Sequence, residues 1–256
     1  MDVYKNPLYY EIAFSFFNVK EQVDCFEEII RKFSKINVER FLDIACGPSL
    51  QLREIVKRGY EAVGLDSSPE MLAYLRRKAE EEGLKIETLR ADMYSFRLKR
   101  KVDFAFIMMG SFNAGSNDEL LSHLDSVAYS LKKGGLYFIQ NMAVDWTQNA
   151  EQSWTMERDG ITIKTTYNTR WKNLLNQTYT EKITLEVNDH GRMLKLEDEE
   201  DLKFVFPQEF KMLIRLNGKF EFLGWWEGSE SRWFLDRPLE KAEKPSNINM
   251  VLLRRK

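Results

Sequence analysis

ERFLDIACGPSLQLREIV, from Glu39 to Val56, is the stretch that decides the fold: a short apolar strand ends in an acid and a tight glycine-bearing turn, and a helix begins at once. Twenty-three positions after its acid, Asp43, a second apolar run, YEAVGLD, ends in Asp66. A strand, a close-approach turn, a helix and a second strand tipped with an acid form the half-unit with which α/β proteins hold a nucleoside, the second acid being placed for the ribose hydroxyls. The pattern predicts a small-molecule site where these strands end.

Outward from this unit, strand and helix alternate in the manner of a parallel sheet. On the N-terminal side, Val23, Phe26, Ile30 and Phe33 recur at helical spacing between Lys20 and Ser34. The first strand is expected at Arg40 to Ala45, its helix at Leu50 to Lys57 and the second strand at Tyr60 to Leu65. SSPEMLAYLRRKAEEEG then reads as a helix with Ser68 as N-cap, Pro69 in the first turn, Glu70 at the positive end and Gly83 as the stop. Strand three, Lys85 to Leu89, leads into Asp92, and strand four is the apolar run from Val102 to Met109. A helix from Asn117 buries Leu120, Leu124, Val127 and Leu131 and is expected to end at Lys132-Lys133-Gly134-Gly135, with strand five, LYFIQNM, after it.

Past about Asp145 the period changes to two. ITIKTTYNT and QTYTEKITLEV alternate, an Asn-Asp-His-Gly turn follows at 188–191, and a further strand is expected at Leu202 to Phe206. A helix returns at Pro207 to Leu216, with two more strands at Phe220 to Trp226 and Asn249 to Leu253. The expected division is an N-terminal helical cap at 1–35, a core made of 36–145 and 207–256, and an antiparallel β insert at 146–206 that serves as a lid over the site.

A chain of 256 residues suits one elaborated α/β domain. Its net charge of -2 offers no bulk attraction for polyanions, so nucleic acid is a poor partner. The only cysteines are Cys25 and Cys46, and with two histidines they do not make a metal cage. An acid at position 2 and no long apolar run in MDVYKNPLYYEIAF predict neither a signal peptide nor a membrane span, hence a soluble, cytoplasmic protein.

The order of elements resembles the class I methyltransferases that use S-adenosylmethionine, and four stretches carry the resemblance: FLDIACGPS, VGLDSS, RADMYSF and LKKGGLYFI. It covers roughly Glu39 to Met142. The resemblance implies a Rossmann-like, seven-stranded, mostly parallel sheet with helices on both faces, the antiparallel insert being an addition to it. It also implies S-adenosylmethionine as cofactor and S-adenosylhomocysteine as product. Ala45 and Gly47 would then be the turn contacts, Asp66 the ribose ligand, Asp92 the acceptor for the adenine amine, and Met71 and Met93 walls for the ring. Asp43, Pro48, Ser67 and Met109 complete the expected cofactor site. The family turn usually carries three glycines, whereas Ala45 and Ser49 stand at the outer positions here. A dinucleotide site is the competing reading, but its fingerprint needs a third glycine where this chain has Leu50, whose branched side chain would hold helix and strand apart.

Methyl transfer from a sulfonium is an in-line displacement that asks mainly for orientation and a dry pocket, so the lack of an obvious catalytic dyad is no objection. An ammonium or hydroxyl acceptor must also lose a proton. His123 reads as a satisfied boundary residue and His190 as a solvated turn residue, so the catalytic residue stays unknown, and Tyr10 is a candidate only by the resemblance. Tyr10-Glu11 resembles a Tyr-Asp segment that closes over the cofactor in some small-molecule N-methyltransferases of this group. After strand four the chain has Met109-Gly110-Ser111-Phe112-Asn113 in place of the Asn/Asp-Pro-Pro-Tyr-like tetrad of enzymes that grip planar nitrogens. The basic run at Arg97, Lys99, Arg100 and Lys101 reads as a solvated turn.

Tyr10, Asn113, Trp146 and Arg170 are the expected acceptor contacts, with Arg170 binding an acidic substrate or pairing with Glu181. Trp146, Trp154, Tyr167, Trp171 and Tyr179 supply flat surface for a small organic acceptor, or bury a sheet face against the core or against a second copy in a homodimer. Two functions stay open at this point: a methyltransferase acting on an amine or hydroxyl of a small molecule, and a catalytically idle module of the same fold that binds a partner protein.

Overall fold

The computed structural model of the chain describes residues 2–142, 150–243 and 246–256. Strand β1 (Arg40–Ile44) is buried along its whole length, because it lies in the middle of a sheet covered on both faces. It pairs in parallel with β2 (Glu61–Asp66) on one side and β4 (Val102–Ile107) on the other. Outside these lie β3 (Glu87–Arg90) and β5 (Leu131–Gln140), also parallel to their neighbours. Strands β10 (Phe220–Gly228), β11 (Trp233–Pro238) and β12 (Asn249–Arg255) run antiparallel at the far edge, giving the order β11-β10-β12-β5-β4-β1-β2-β3.

Seven of these strands are the expected ones and β11 is an eighth. Its sequence, WFLDRP, carries no alternation that marks a strand. It is held by Trp233, 1% exposed, which packs against Phe26 and Phe138 from distant parts of the chain. Strand β5 starts directly after the preceding helix, at Leu131, so the Lys-Lys-Gly-Gly run lies inside the strand rather than before it. Leu131 takes an extended conformation as the helix cap and is already paired with Val102, which is what converts helix to strand without a loop.

Helices α2 (Val19–Phe33), α3 (Leu50–Lys57) and α4 (Pro69–Glu81) cover one face; α5 (Asn117–Ser130) and α6 (Pro207–Asn217) cover the other. Their starts follow the side-chain capping rule: Asn18, Ser49, Ser68 and Ser116 each accept from backbone N–H groups of the first turn. Within α2 the deepest positions are Val23, Phe26 and Ile29, while Ile30 and Phe33 pack at the margin.

The insert is a separate four-stranded antiparallel meander of β6 (Ala150–Arg158), β7 (Ile161–Asn173), β8 (Thr178–Asp189) and β9 (Arg192–Lys203). Its last strand begins at Arg192, ten residues ahead of the expected Leu202 start, and stops before Phe204. RMLKLEDEEDLK hides its alternation because both faces carry charge. Helix α1 (Pro7–Ala13) belongs with this sheet: Ile12 and Ala13 pack on Ile163, Leu185 and Leu196, and the Trp154 indole donates to the Ala13 carbonyl at 2.7 Å. Glu11, 4% exposed, ties three parts together, with Arg53 of α3 and Arg158 of β6 each 2.8 Å from one of its oxygens.

Gly64 marks where helices meet the sheet. A Cβ there would lie 2.9 Å from Cys46 Sγ and 3.0 and 3.1 Å from methyl groups of Leu75 and Leu52, so α3 and α4 lie directly on the strand. We expect Gly64→Val to lower the free energy of unfolding by about 1–3 kcal/mol through overpacking. Chemical denaturation checks this, and an unchanged midpoint would mean that the helices have room to move.

Candidate functional site

The turns that leave the C-terminal ends of β1, β2, β3 and β4 converge beneath the insert sheet and enclose a cavity of about 960 Å³. This is the crevice where open α/β sheets bind ligands, and its size leaves room for a nucleoside and a second small molecule. Ala45, Gly47, Asp66, Ser67, Met71, Asp92, Met93, Met109, Asn113, Tyr10 and Arg170, all expected site residues, are brought together in its lining. Trp146 lies outside the described residues.

The turn after β1 has left-handed backbone at Ala45, Gly47 and Ser49, with φ of 55°, 51° and 32°. Non-glycine residues pay a conformational penalty in this region, and a second structure must hold them there. Asp66 supplies it. Its two carboxylate oxygens accept from the N–H groups of Gly47 and Ser68, both at 2.8 Å, locking the turn to the start of α4. The Asp66 carboxylate also lines the cavity, and as an acceptor-only group it has the chemistry that a vicinal diol needs. Burial raises the pKa of Asp66, against the pull of these backbone donors.

Asp43 and Pro48 do not line the cavity, which corrects their expected contact role. Asp43 is 5% exposed, and its carboxyl accepts from Ser49 Oγ at 2.6 Å, while the same Oγ caps α3 by accepting from Leu52 N at 3.2 Å. Burial pushes the Asp43 carboxyl up to about 8. It therefore positions the turn from below.

At the end of β3, Asp92 is exposed toward the cavity and accepts from Tyr94 N at 2.8 Å. The segment is anchored from behind by His123, which is 1% exposed. Its Nδ1 is 2.9 Å from the Met93 carbonyl and its Nε2 is 2.7 Å from the Tyr137 hydroxyl, so a neutral ring donates to Met93 and accepts from Tyr137. Burial brings His123 down to about 4, which keeps it neutral. His123 is thus a fully interior residue, deeper than a boundary position. At the end of β4, Met109 has φ of 57° and its N–H donates to Gln140 at 2.8 Å, turning the chain so that residues 109–113 form one wall.

From the cap, the Tyr10 ring lies 3.8 Å from the position a Cβ on Gly47 would take, and it packs against Tyr4 and Phe14 with ring centroids 5.7 and 4.6 Å away. Burial and the nearby Asp66 charge hold its phenol protonated, so Tyr10 is a wall and hydrogen-bond donor rather than a base at neutral pH. The insert contributes its odd-numbered face on β7 and β8: Tyr167, Trp171, Tyr179 and Glu181 all point into the cavity. Across β9 the register adds Asp198 and Glu200.

Arg170 does not pair with Glu181. Arg170 stands opposite Thr180, and Glu181 opposite Thr169, so the two side chains leave opposite faces of the sheet. Glu181 accepts instead from the Tyr167 hydroxyl at 2.5 Å. His190 sits exposed in the β8–β9 turn, and Arg100 of the basic run is paired with Glu61, so neither reaches the cavity. Tyr4, Tyr94, Asp198 and Glu200 are wall residues that the sequence did not single out; only the alternation of β9, had it been legible, marked the last two.

Residues 41–135 match the methyltransferase domain family. The chain is 30% identical over 122 residues to the ubiquinone biosynthesis O-methyltransferase of Nitrosococcus oceani, covering 45% of this chain and 48% of that protein. It is 30% identical over 129 residues to the dTDP-3-amino-3,4,6-trideoxy-alpha-D-glucopyranose N,N-dimethyltransferase of Streptomyces venezuelae, covering 48% of this chain and 51% of the other. Each match spans about half the length of the curated relative. Among solved structures, Streptomyces venezuelae DesVI superposes with a TM-score of 0.75 at 18% identity, over 97% of this chain and 96% of that one, which establishes a shared fold.

The buried histidine behind this wall makes a pH signature. Unfolded, His123 takes a proton below its ordinary value near 6.5; folded, only below about 4. Its contribution to stability is full above pH 6.5 and is lost on acidification through that window. We expect the stability advantage of the wild type over His123→Asn to shrink by ~3 kcal/mol between pH 7 and pH 4, measured by denaturant unfolding at each pH. A pH-independent difference would mean that the ring is solvated.

Proposed function

We infer that this chain, which carries a methyltransferase domain in the class I S-adenosylmethionine-dependent fold, moves a methyl group from S-adenosylmethionine to an amine or hydroxyl of a small organic acceptor, releasing S-adenosylhomocysteine. The observation that carries this reading is the convergence on one cavity of the Gly47 turn, the Asp66 carboxylate and Asp92. The residues fit the cofactor's chemistry: the Asp66 carboxylate in the cavity wall suits a ribose diol, Asp92 suits an exocyclic amine, and Met71 and Met93 supply apolar flanks. When bound, the cofactor supplies an activated methyl on a sulfonium, so the protein need not generate a leaving group.

The chain's own groups then do three things. Asp66 and the open backbone at Ala45 and Gly47 bind and orient, with no Cβ at position 47 to fill the approach. Tyr10, Phe14 and Trp154 close the cavity from the cap and the insert and exclude water. The insert face presents the acceptor, an orientation effect large enough to account for much of the rate. The named relatives are an O-methyltransferase of ubiquinone biosynthesis and an N,N-dimethyltransferase of a dTDP-linked amino sugar, which supports a small acceptor for this chain as well.

Calorimetry tests the reading. The wild type is expected to bind both S-adenosylmethionine and S-adenosylhomocysteine, and Asp66→Ala to bind more than tenfold more weakly with an unchanged circular dichroism spectrum, since a hydrogen bond to a charged group contributes about 1.5–3 kcal/mol. Binding of neither compound by the wild type would leave the partner-binding module as the surviving reading.

A further inference from the structure

The insert wall is chemically lopsided. Glu181 and Glu200 stand directly opposite each other across β8 and β9, and Ile183 faces Asp198 one step along the same face. Like charges directly opposite on a sheet are destabilising, and they persist where something else compensates. Among the described residues no Lys or Arg nitrogen lies within 4.0 Å of any of these three carboxylates, whereas Glu197, on the opposite face, is paired with both Lys182 and Lys195 at 3.0 Å.

Aromatic rings surround the same acids. Tyr4, Tyr167, Trp171 and Tyr179 line this end of the cavity, and Tyr167 fixes the Glu181 carboxylate by donating its hydroxyl. The Tyr4 phenol lies in the field of Glu181, Asp198 and Glu200, and the Tyr10 phenol in that of Asp66 and Glu181. Of the three insert acids, Glu181 is the one whose charge also acts on Tyr10, beside the Gly47 turn. The Tyr10 ring is enclosed by Tyr4, Phe14 and the Gly47 turn, and its hydroxyl has no hydrogen-bond partner among the described residues.

Carboxylates also outnumber basic groups around the whole cavity: of its three bases Lys5 is taken by Asp2 at 3.4 Å and Lys203 by Glu209 at 3.1 Å, while Arg170, which leaves the other face of β7 from the acids, has no ion pair among the described residues. A diphosphate would meet a field of its own sign here.

We propose that the acceptor is a compact organic amine, bound as its ammonium between Glu181 and Glu200 and against the Tyr4, Tyr167 and Tyr179 rings, and that it carries no phosphate. This rests on the methyltransferase reading and names the substrate class of the same cavity. Carboxylates and ring faces are the two partners that desolvated ammonium groups use. Before it reacts, the ammonium passes one proton to a Glu181 oxygen: an N–H bond breaks, an O–H bond forms, and the products are a neutral amine with a free lone pair and a neutral carboxyl. Burial already raises the affinity of Glu181 and Glu200 for a proton, which suits that exchange.

The test uses the full chain saturated with S-adenosylhomocysteine, titrated in a calorimeter with benzylamine, benzyl alcohol and dTDP as probes. Benzylamine is expected to bind at least tenfold more tightly than benzyl alcohol, and dTDP not to bind. Glu181→Gln and Glu200→Gln, which keep side-chain shape, are each expected to weaken benzylamine at least tenfold while the affinity for S-adenosylhomocysteine stays within twofold; Tyr167→Phe, which frees the Glu181 carboxylate, is expected to weaken it less. Benzyl alcohol or dTDP binding as tightly as benzylamine, no binding of benzylamine, or full benzylamine affinity in both glutamine variants overturns the proposal. S-adenosylhomocysteine failing to bind the wild type is a different failure, that of the methyltransferase reading itself.

Discussion

The contact on which the site depends is the one between the Asp66 carboxylate and the Gly47 N–H. It joins the ends of two neighbouring parallel strands, so that the turn after β1 cannot relax without disturbing β2 and the start of α4. Three left-handed residues in five positions are costly to hold, and two of them bear side chains. The penalty is offset from both sides: Asp66 grips the turn from the cavity, and the Asp43–Ser49 hydrogen bond grips it from the core. One acid thus shapes the backbone and lines the cavity, while the other, whose carboxyl burial pushes up to about 8, is a structural peg.

A second constraint closes the cavity. The cap helix α1 is built into the insert rather than into the main sheet, and the buried Glu11 links it to α3 and β6 through Arg53 and Arg158. Removing one member of such a buried ion group leaves a charge without a partner, so the arrangement resists separation more than its apolar contacts alone would. Cap, insert and turn therefore share the walls of one chamber, with Tyr10 pressed toward Gly47 at their junction.

Legibility varied with the kind of signal. The start of α4 was readable because Ser68 acts on an N–H group three residues on, and Asn18 and Ser116 do the same at α2 and α5. The strands of the central sheet were readable because burial on both faces demands unbroken apolar runs, as in Val102–Ile107. Strand β9 was misread because its cavity face is acidic, which erased the alternation. Strand β11 was missed because what makes it a strand is Trp233 wedged against Phe26 and Phe138, more than ninety residues away at its nearest partner. The Arg170–Glu181 pair failed on register alone, which sequence spacing does not reveal when two strands are joined by a hairpin of unknown turn.

By itself, the sequence determined the local and the periodic: the central sheet, the capped helices, and the acids Asp66 and Asp92 that follow β2 and β3, because all of these depend on interactions within a few residues of the chain. Tertiary structure alone decided which acids face the cavity and which lie beneath it, that β11 joins the sheet, and that the inner face of the insert gathers Glu181, Asp198 and Glu200 without cations. Those outcomes follow from register and from packing between distant segments, where a shift of one residue turns every side chain to the other face.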